Sequence, residues 1–228
     1  MRIFLMRHAE SYNNTQGKIM SATDLPLTDK GIQQANAVKA YINNSIYPKR
    51  FTNVFCSSLL RANQTANIII ENNIEIVKLD SLKEMDLGEL EGLTWVERAT
   101  KYPHIDIENS LSDVDFPKGE KFLNIKARCS VFIEKHLSVL EDDAYVLVVT
   151  HGITARVLTN LILNKSDKHI NWLNWLDCTS FSIIDYNSNN CIGSLIKLND
   201  RTHLTEHNLG TSNYEEWGLF SKIEYCSE

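Results

Sequence analysis

Tyr145-Val146-Leu147-Val148-Val149, followed by Thr150-His151-Gly152, is the most telling stretch of this chain. Its first five residues carry no charge, and four of them are β-branched or aromatic. An unbroken apolar run of this kind suits a central strand covered on both faces. Thr150-His151-Gly152 ends the run, and a helix over residues 154–163 follows it.

The same strand-then-helix order recurs upstream. Residues 3–6 form an apolar strand. Thr28 can cap a helix reaching about Asn43, with Ile32, Ala35, Val38 and Ile42 at spacings of three and four. Val54-Phe55-Cys56 reads as a short buried strand, with Ser57-Ser58 as the cap of a helix through Ile70. Residues 74–79 alternate enough to make another strand. Residues 122–140 make a long amphipathic helix that sets Phe122, Ile125, Cys129, Phe132 or Ile133, and Leu137 on one face. Residues 180–186 and 192–198 read as an antiparallel pair joined at 187–190. The alternation points to an α/β fold. Only residues 93–121 depart from it, and they read as a small insertion over the sheet edge, too short to own a core.

Composition narrows the function classes. The chain has 228 residues, 43% hydrophobic and 23% charged, which is the balance of a single soluble domain and excludes disorder. No apolar run approaches the roughly 18 residues that a membrane span needs, and the first apolar stretch is too short for a signal peptide. With 23 Lys and Arg against 29 Asp and Glu, the net charge is −6 and no block of one sign stands out. A nucleic-acid partner is therefore not expected. Five scattered cysteines without a CxxC pair argue for reduced thiols and a cytoplasmic protein. The oligomeric state is not written in the sequence, and a homodimer is left open.

Three of the expected strands end alike, in Arg7-His8, in the segment leading to Arg61, and in Thr150-His151-Gly152. Ligands of open α/β sheets bind at the carboxyl ends of strands, where helix N-termini also point. Arg7, His8, Arg61 and His151 should thus converge from distant positions. Two guanidiniums and two imidazoles beside helix dipoles suit a compact anion, above all a phosphoryl group. No carboxylate sits in metal-ligand spacing with His8 or His151, so no metal is expected there.

These segments are recognisable together. Arg7-His8-Ala9-Glu10-Ser11 with Asn14, Ser57-Ser58-Leu59-Leu60-Arg61-Ala62-Asn63-Gln64-Thr65-Ala66, Leu82-Lys83-Glu84-Met85-Asp86-Leu87-Gly88, and Val148-Val149-Thr150-His151-Gly152 resemble ordered motifs of the histidine phosphatase superfamily, which includes the phosphoglycerate mutases. Asp24-Leu25-Pro26-Leu27-Thr28 and His203-Leu204 are similar to further family segments, so the likeness spans about residues 1–205. It implies a three-layer α/β/α sandwich with a mostly parallel central sheet and a small cap at about 93–121. It also leaves a tail, 208–228, without a role, in which Tyr214, Trp217 and Phe220 read as packing residues.

The resemblance also implies the chemistry. His8 would be the nucleophile and Glu84 the proton donor, with Arg7, Arg61 and His151 completing the catalytic set. Arg7, Asn14, Ser21, Arg61, His151 and Gly152 would bind substrate, and no cofactor is implied. Ser21 replaces a usual glycine there, and Ala9 another. The expected reaction is metal-independent hydrolysis of a small-molecule phosphomonoester through a phosphohistidine. Mutase-type phosphoryl transfer is the runner-up. Against it, the span from Glu84 to His151 is short and residues 101–116 hold no arginine. A silent phospho-ligand binding module would be expected to have lost one of the five catalytic positions, and all are present. Trp95, Arg98, Tyr102 and His104 are the pocket-edge candidates. Glu108, Asp113 and Asp115 nearby disfavour a polyanionic substrate.

Overall fold

The run 145–150 lies at the heart of the protein, as its composition requires. The computed structural model describes residues 1–44, 50–70, 74–105, 107, 111–167, 170 and 176–210. Six strands form one sheet: β1 (Arg2–Arg7), β2 (Asn53–Ser57), β3 (Ile76–Leu79), β4 (Tyr145–Thr150), β5 (Phe181–Asn187) and β6 (Ile192–Asp200), in spatial order β3-β2-β4-β1-β5-β6. The pairs β1–β4, β2–β3 and β2–β4 are parallel, whereas β5 and β6 run antiparallel at one edge.

Alternation along the strands feeds two cores. Ile3, Leu5, Phe55, Val146 and Val148 point to one face, where they meet α4 (Phe122–Phe132) and α5 (Gly152–Ile162). Phe4, Met6, Val54, Cys56, Leu147 and Val149 point to the other, against α1 (Asp29–Asn44) and α2 (Leu60–Ile69). The result is an α/β sheet with helices on both faces and mostly parallel strands. A short α6 (Thr202–Glu206) follows β6. No helix among the described residues is long and apolar enough to cross a membrane.

Several local expectations change. In α1, Thr28 does cap, its Oγ1 accepting the Gly31 N–H at 3.0 Å, but Ile32 is exposed and Gly31 and Gln34 face inward instead. A Cβ on Gly31 would sit 1.9 Å from the Glu10 carbonyl oxygen, so only glycine lets the helix start so close to that loop. The long helix after Phe122 turns into one π-helical turn over Ile133–Leu137, with the Ser138 N–H donating to the Ile133 carbonyl. The inserted residue brings Leu137 to the buried face five positions after Phe132. Neither Ser57 nor Ser58 caps α2. Its Leu60 N–H donates to the Asp24 carboxylate at 2.7 and 2.9 Å, from a loop far upstream.

Residues 93–121 contain a helix that the strand-helix reading passed over, α3 (Trp95–Lys101), started by a reciprocal capping box between Thr94 and Glu97. Ile105, Ile107, Leu111, Val114 and Phe116 from this segment join the α4–α5 core rather than forming their own. Residues 211–228, with Tyr214, Trp217 and Phe220, lie outside the described residues, as does Glu108.

Candidate active site

The carboxyl ends of β1, β2 and β4 meet, as parallel neighbours must, and bring Arg7, His8, Ser57 and His151 together. A cavity of about 840 Å³, mouth included, opens there; Arg7, His8, Asn14, Arg61, Glu84 and Gly152 are in its wall.

His8 follows β1 and is 3% exposed. Its Nδ1 lies 2.7 Å from the Ala9 carbonyl. A carbonyl can only accept, so Nδ1 carries the proton and Nε2 keeps a lone pair. Burial above all, then the Arg61 and Arg7 guanidiniums, hold this ring well below the usual histidine range, so it is neutral. The backbone behind it is fixed by an unusual turn. Thr179, with φ of 58°, donates its N–H to the Arg7 and His8 carbonyls at 3.1 and 3.3 Å, and its Oγ1 meets His203 Nε2 at 2.9 Å. A β-branched residue in the left-handed region is strained, and these contacts hold it there.

Arg61 lies in the first turn of α2 and is 2% exposed. Its Nη1 donates to the Thr23 carbonyl at 3.0 Å and its Nη2 to that of Ser21 at 2.9 Å, while Asp24 lies 3.5 Å away. The guanidinium is thus aimed by the loop that also caps its helix. Asn14 spends its Oδ1 on the Ser11 N–H and hydroxyl, which leaves Nδ2 for the cavity it lines. His151 is fully buried behind His8, with ring centroids 5.0 Å apart. Burial first, then Arg61, His8 and Arg7, keep its pKa well down.

Glu84 occupies a place that spacing could not reveal. Its Oε1 accepts the N–H groups of Met85 and Thr154 at 3.0 and 3.1 Å, and its Oε2 accepts that of Ile153 at 3.2 Å. It therefore caps α5 from outside. The preceding backbone is clamped by Arg128, which donates to the carbonyls of Ser81 and Lys83 at 2.8 and 2.7 Å while paired with Glu120. Gly152 completes the floor, where a Cβ would come within 3.7 Å of Glu84 and 3.9 Å of Arg7. The N-terminal amides of α2 and α5 meet the carboxylates of Asp24 and Glu84, so the donors left for the cavity are chiefly side chains rather than the helix ends that the sequence suggested.

Ser21 is not in the wall. It is fully buried, its hydroxyl donates to Glu91 and accepts the Leu87 N–H, and it acts on the site through its carbonyl on Arg61. Of the pocket-edge candidates only Trp95 lines the cavity. Arg98 lies against the Trp95 ring at 5.6 Å and donates to Ile105, Tyr102 donates to Glu89, and His104 is exposed beside Tyr102. Residues that the motifs did not single out also form the wall: Asn13, Lys18, Ile107, Arg156 and Leu176. Arg156, 4% exposed and the single charged side chain of α5, was the one with a legible signal. No group of three or more His, Cys, Asp or Glu side chains among the described residues is arranged to hold a metal ion.

Comparison with known proteins places this geometry. The sequence profile of the histidine phosphatase superfamily (branch 1) matches residues 3–200. A 2,3-bisphosphoglycerate-dependent phosphoglycerate mutase 2 of Gloeobacter violaceus is 31% identical over 163 residues, 68% of this chain and 73% of that protein. A metal-independent phosphoserine phosphatase of Arabidopsis thaliana is 30% identical over 160 residues, 68% of this chain and 66% of that protein. The crystal structure of a putative alpha-ribazole-5'-P phosphatase from Escherichia coli superposes with a TM-score of 0.76 at 26% identity, covering 88% of this chain and 97% of that one.

Proposed function

Because the chain belongs to the histidine phosphatase superfamily, branch 1, we propose that it hydrolyses a phosphomonoester of a small metabolite through a phosphohistidine on His8. The observation that carries this reading is the His8 ring, kept neutral by burial and by two buried arginines and set in one tautomer by the Ala9 carbonyl.

His8 Nε2 attacks phosphorus and the ester P–O bond breaks, which splits hydrolysis into two easier displacements. Arg7, Arg61, Asn14 and His151 take the charge on the equatorial oxygens, which dominates the cost of phosphoryl transfer. Glu84, across the cavity floor beside Gly152, gives a proton to the leaving oxygen. It then receives one from the water that breaks the P–N bond and releases inorganic phosphate.

Hydrolysis is favoured over mutase transfer by what the cap brings to the site. Its described contributions to the wall are Trp95 and Ile107, which are apolar and add no cation for a second phosphate. The apolar side chains Ile19, Leu87 and Ile153 continue that wall, in which Lys18 and Arg156, neither of them from the cap, are the further cations. Phosphate release from a panel of monoesters, measured beside mutase conversion of phosphoglycerate with its bisphosphate primer, tests the reading. Release should dominate; a faster mutase reaction would reverse the assignment.

A further inference from the structure

A neutral imidazole has a single N–H, so His151 can offer a phosphoryl oxygen a donor from one nitrogen only. Its Nε2 lies 2.8 Å from Ser57 Oγ, while its Nδ1 is buried with no hydrogen-bond partner. Ser57 is fully buried at the end of β2, and its Oγ already accepts the Leu59 N–H at 3.2 Å. The hydroxyl therefore has one hydrogen left to give.

Two proton arrangements compete. With the proton on Nε2, the ring donates to Ser57, whose own O–H then meets no acceptor among the described residues. Nδ1 would present a bare lone pair, which repels a phosphoryl oxygen. With the proton on Nδ1, the Ser57 hydroxyl donates to Nε2, and the hydroxyl and that nitrogen are both satisfied. One buried N–H then stays in reserve, in a ring whose centroid is 5.0 Å from that of the nucleophile. Buried polar groups are nearly always paired, so a donor left over beside a phosphoryl site marks where a ligand oxygen belongs.

We propose that Ser57 fixes His151 as its Nδ1–H tautomer and so aims that N–H at the transferring phosphoryl group. Ser57 is a positioning residue, acting through His151 as the hydrogen-bond partner on the far nitrogen of a metal-bound histidine fixes that ring. The inference rests on the phosphoryl-transfer reading of the site. It adds the group that gives His151 its donor, a serine that the motif reading took for a helix cap and that the cavity wall does not contain.

The test is the imidazole nitrogen NMR spectrum of the full chain carrying isotope-labelled histidine, with His151 assigned from the signal lost in His151→Asn. The expected parent spectrum has a protonated Nδ1 and a bare Nε2, and inorganic phosphate should shift the Nδ1–H resonance. A protonated Nε2 in the parent overturns the proposal. Ser57→Ala should mix the two tautomers and lower kcat on para-nitrophenyl phosphate by about tenfold or more, lowering kcat/KM equally, because the lost donor acts in the transition state. Ser57→Thr keeps the hydroxyl and should restore both. Parent-like tautomer and parent-like kcat in Ser57→Ala would also overturn it. Should Ser57→Ala fail to fold, the parent and Ser57→Thr spectra still decide. A parent without turnover but with an Nδ1-protonated His151 would support this assignment and count against hydrolysis instead.

Discussion

Replacing Glu84 by glutamine should damage stability and chemistry by separable amounts. Glutamine keeps one acceptor oxygen, which can serve Thr154 and Met85, but turns an NH2 toward the Ile153 N–H that Oε2 now accepts at 3.2 Å. Leaving that amide unpaired costs about 1–3 kcal/mol. Losing the negative charge at the start of α5 costs about 0.3–1 kcal/mol more. A total near 2 kcal/mol corresponds to a fall in Tm of about 4–8 °C for a chain of this size. The chemical effect depends on the leaving group. An alkoxide needs the proton, and general-acid assistance is worth about a hundredfold to ten-thousandfold. A nitrophenolate leaves without one. Single-turnover phosphorylation of the enzyme, isolated from the later water step, should therefore slow by at least about a hundredfold for glycerol phosphate and less than about tenfold for para-nitrophenyl phosphate. Equal slowing of both esters would refute the assignment of Glu84 as the acid, whatever the Tm.

Three further outcomes follow from the same contacts. His203 is fully buried under Tyr41 and Phe181, and burial pulls its pKa from 6.5 to about 4. The unfolded chain then binds the extra proton first, so this stability is complete above about pH 6.5 and is lost as pH falls toward 4. Between pH 7.5 and 5 the loss is about 2 kcal/mol, and the unfolding free energy from urea titration should fall by that much less in His203→Gln than in the parent; identical pH slopes would contradict it. Since Arg7 and Arg61 stand where other phosphatases use divalent ions, turnover should survive excess chelator, and loss restored by a divalent metal would refute that. Arg128→Met removes the clamp on Ser81 and Lys83, so it should lower kcat on alkyl phosphates more than on aryl phosphates; an equal loss on both would assign Arg128 to folding alone.

The central strand and its neighbours were legible because side-chain alternation and burial are local properties, readable at Val146–Val149 or Ile3–Met6 one residue at a time. The convergence of Arg7, His8, Arg61 and His151 followed from one topological rule about strand ends. What escaped was long-range. Asp24 caps α2 and Glu84 caps α5 from separate loops, so the local cap assigned to Ser57-Ser58 had no way to foresee them. In the π turn at Ile133–Leu137 the His136 ring packs on Phe55 and Phe132, and helical periodicity alone runs through it. Ser21 carried the right neighbourhood and the wrong direction: its carbonyl, not its side chain, serves the site.

The most direct measurement is a rapid-quench experiment with a radiolabelled phosphomonoester on the parent, His8→Ala and His151→Ala proteins. The account predicts an acid-labile phosphoenzyme on His8 in the parent and none in His8→Ala. It predicts a reduced but still detectable amount in His151→Ala, where the nucleophile remains and only a charge-stabilising donor is gone. Label recovered on His151, or turnover that persists in His8→Ala, would contradict it.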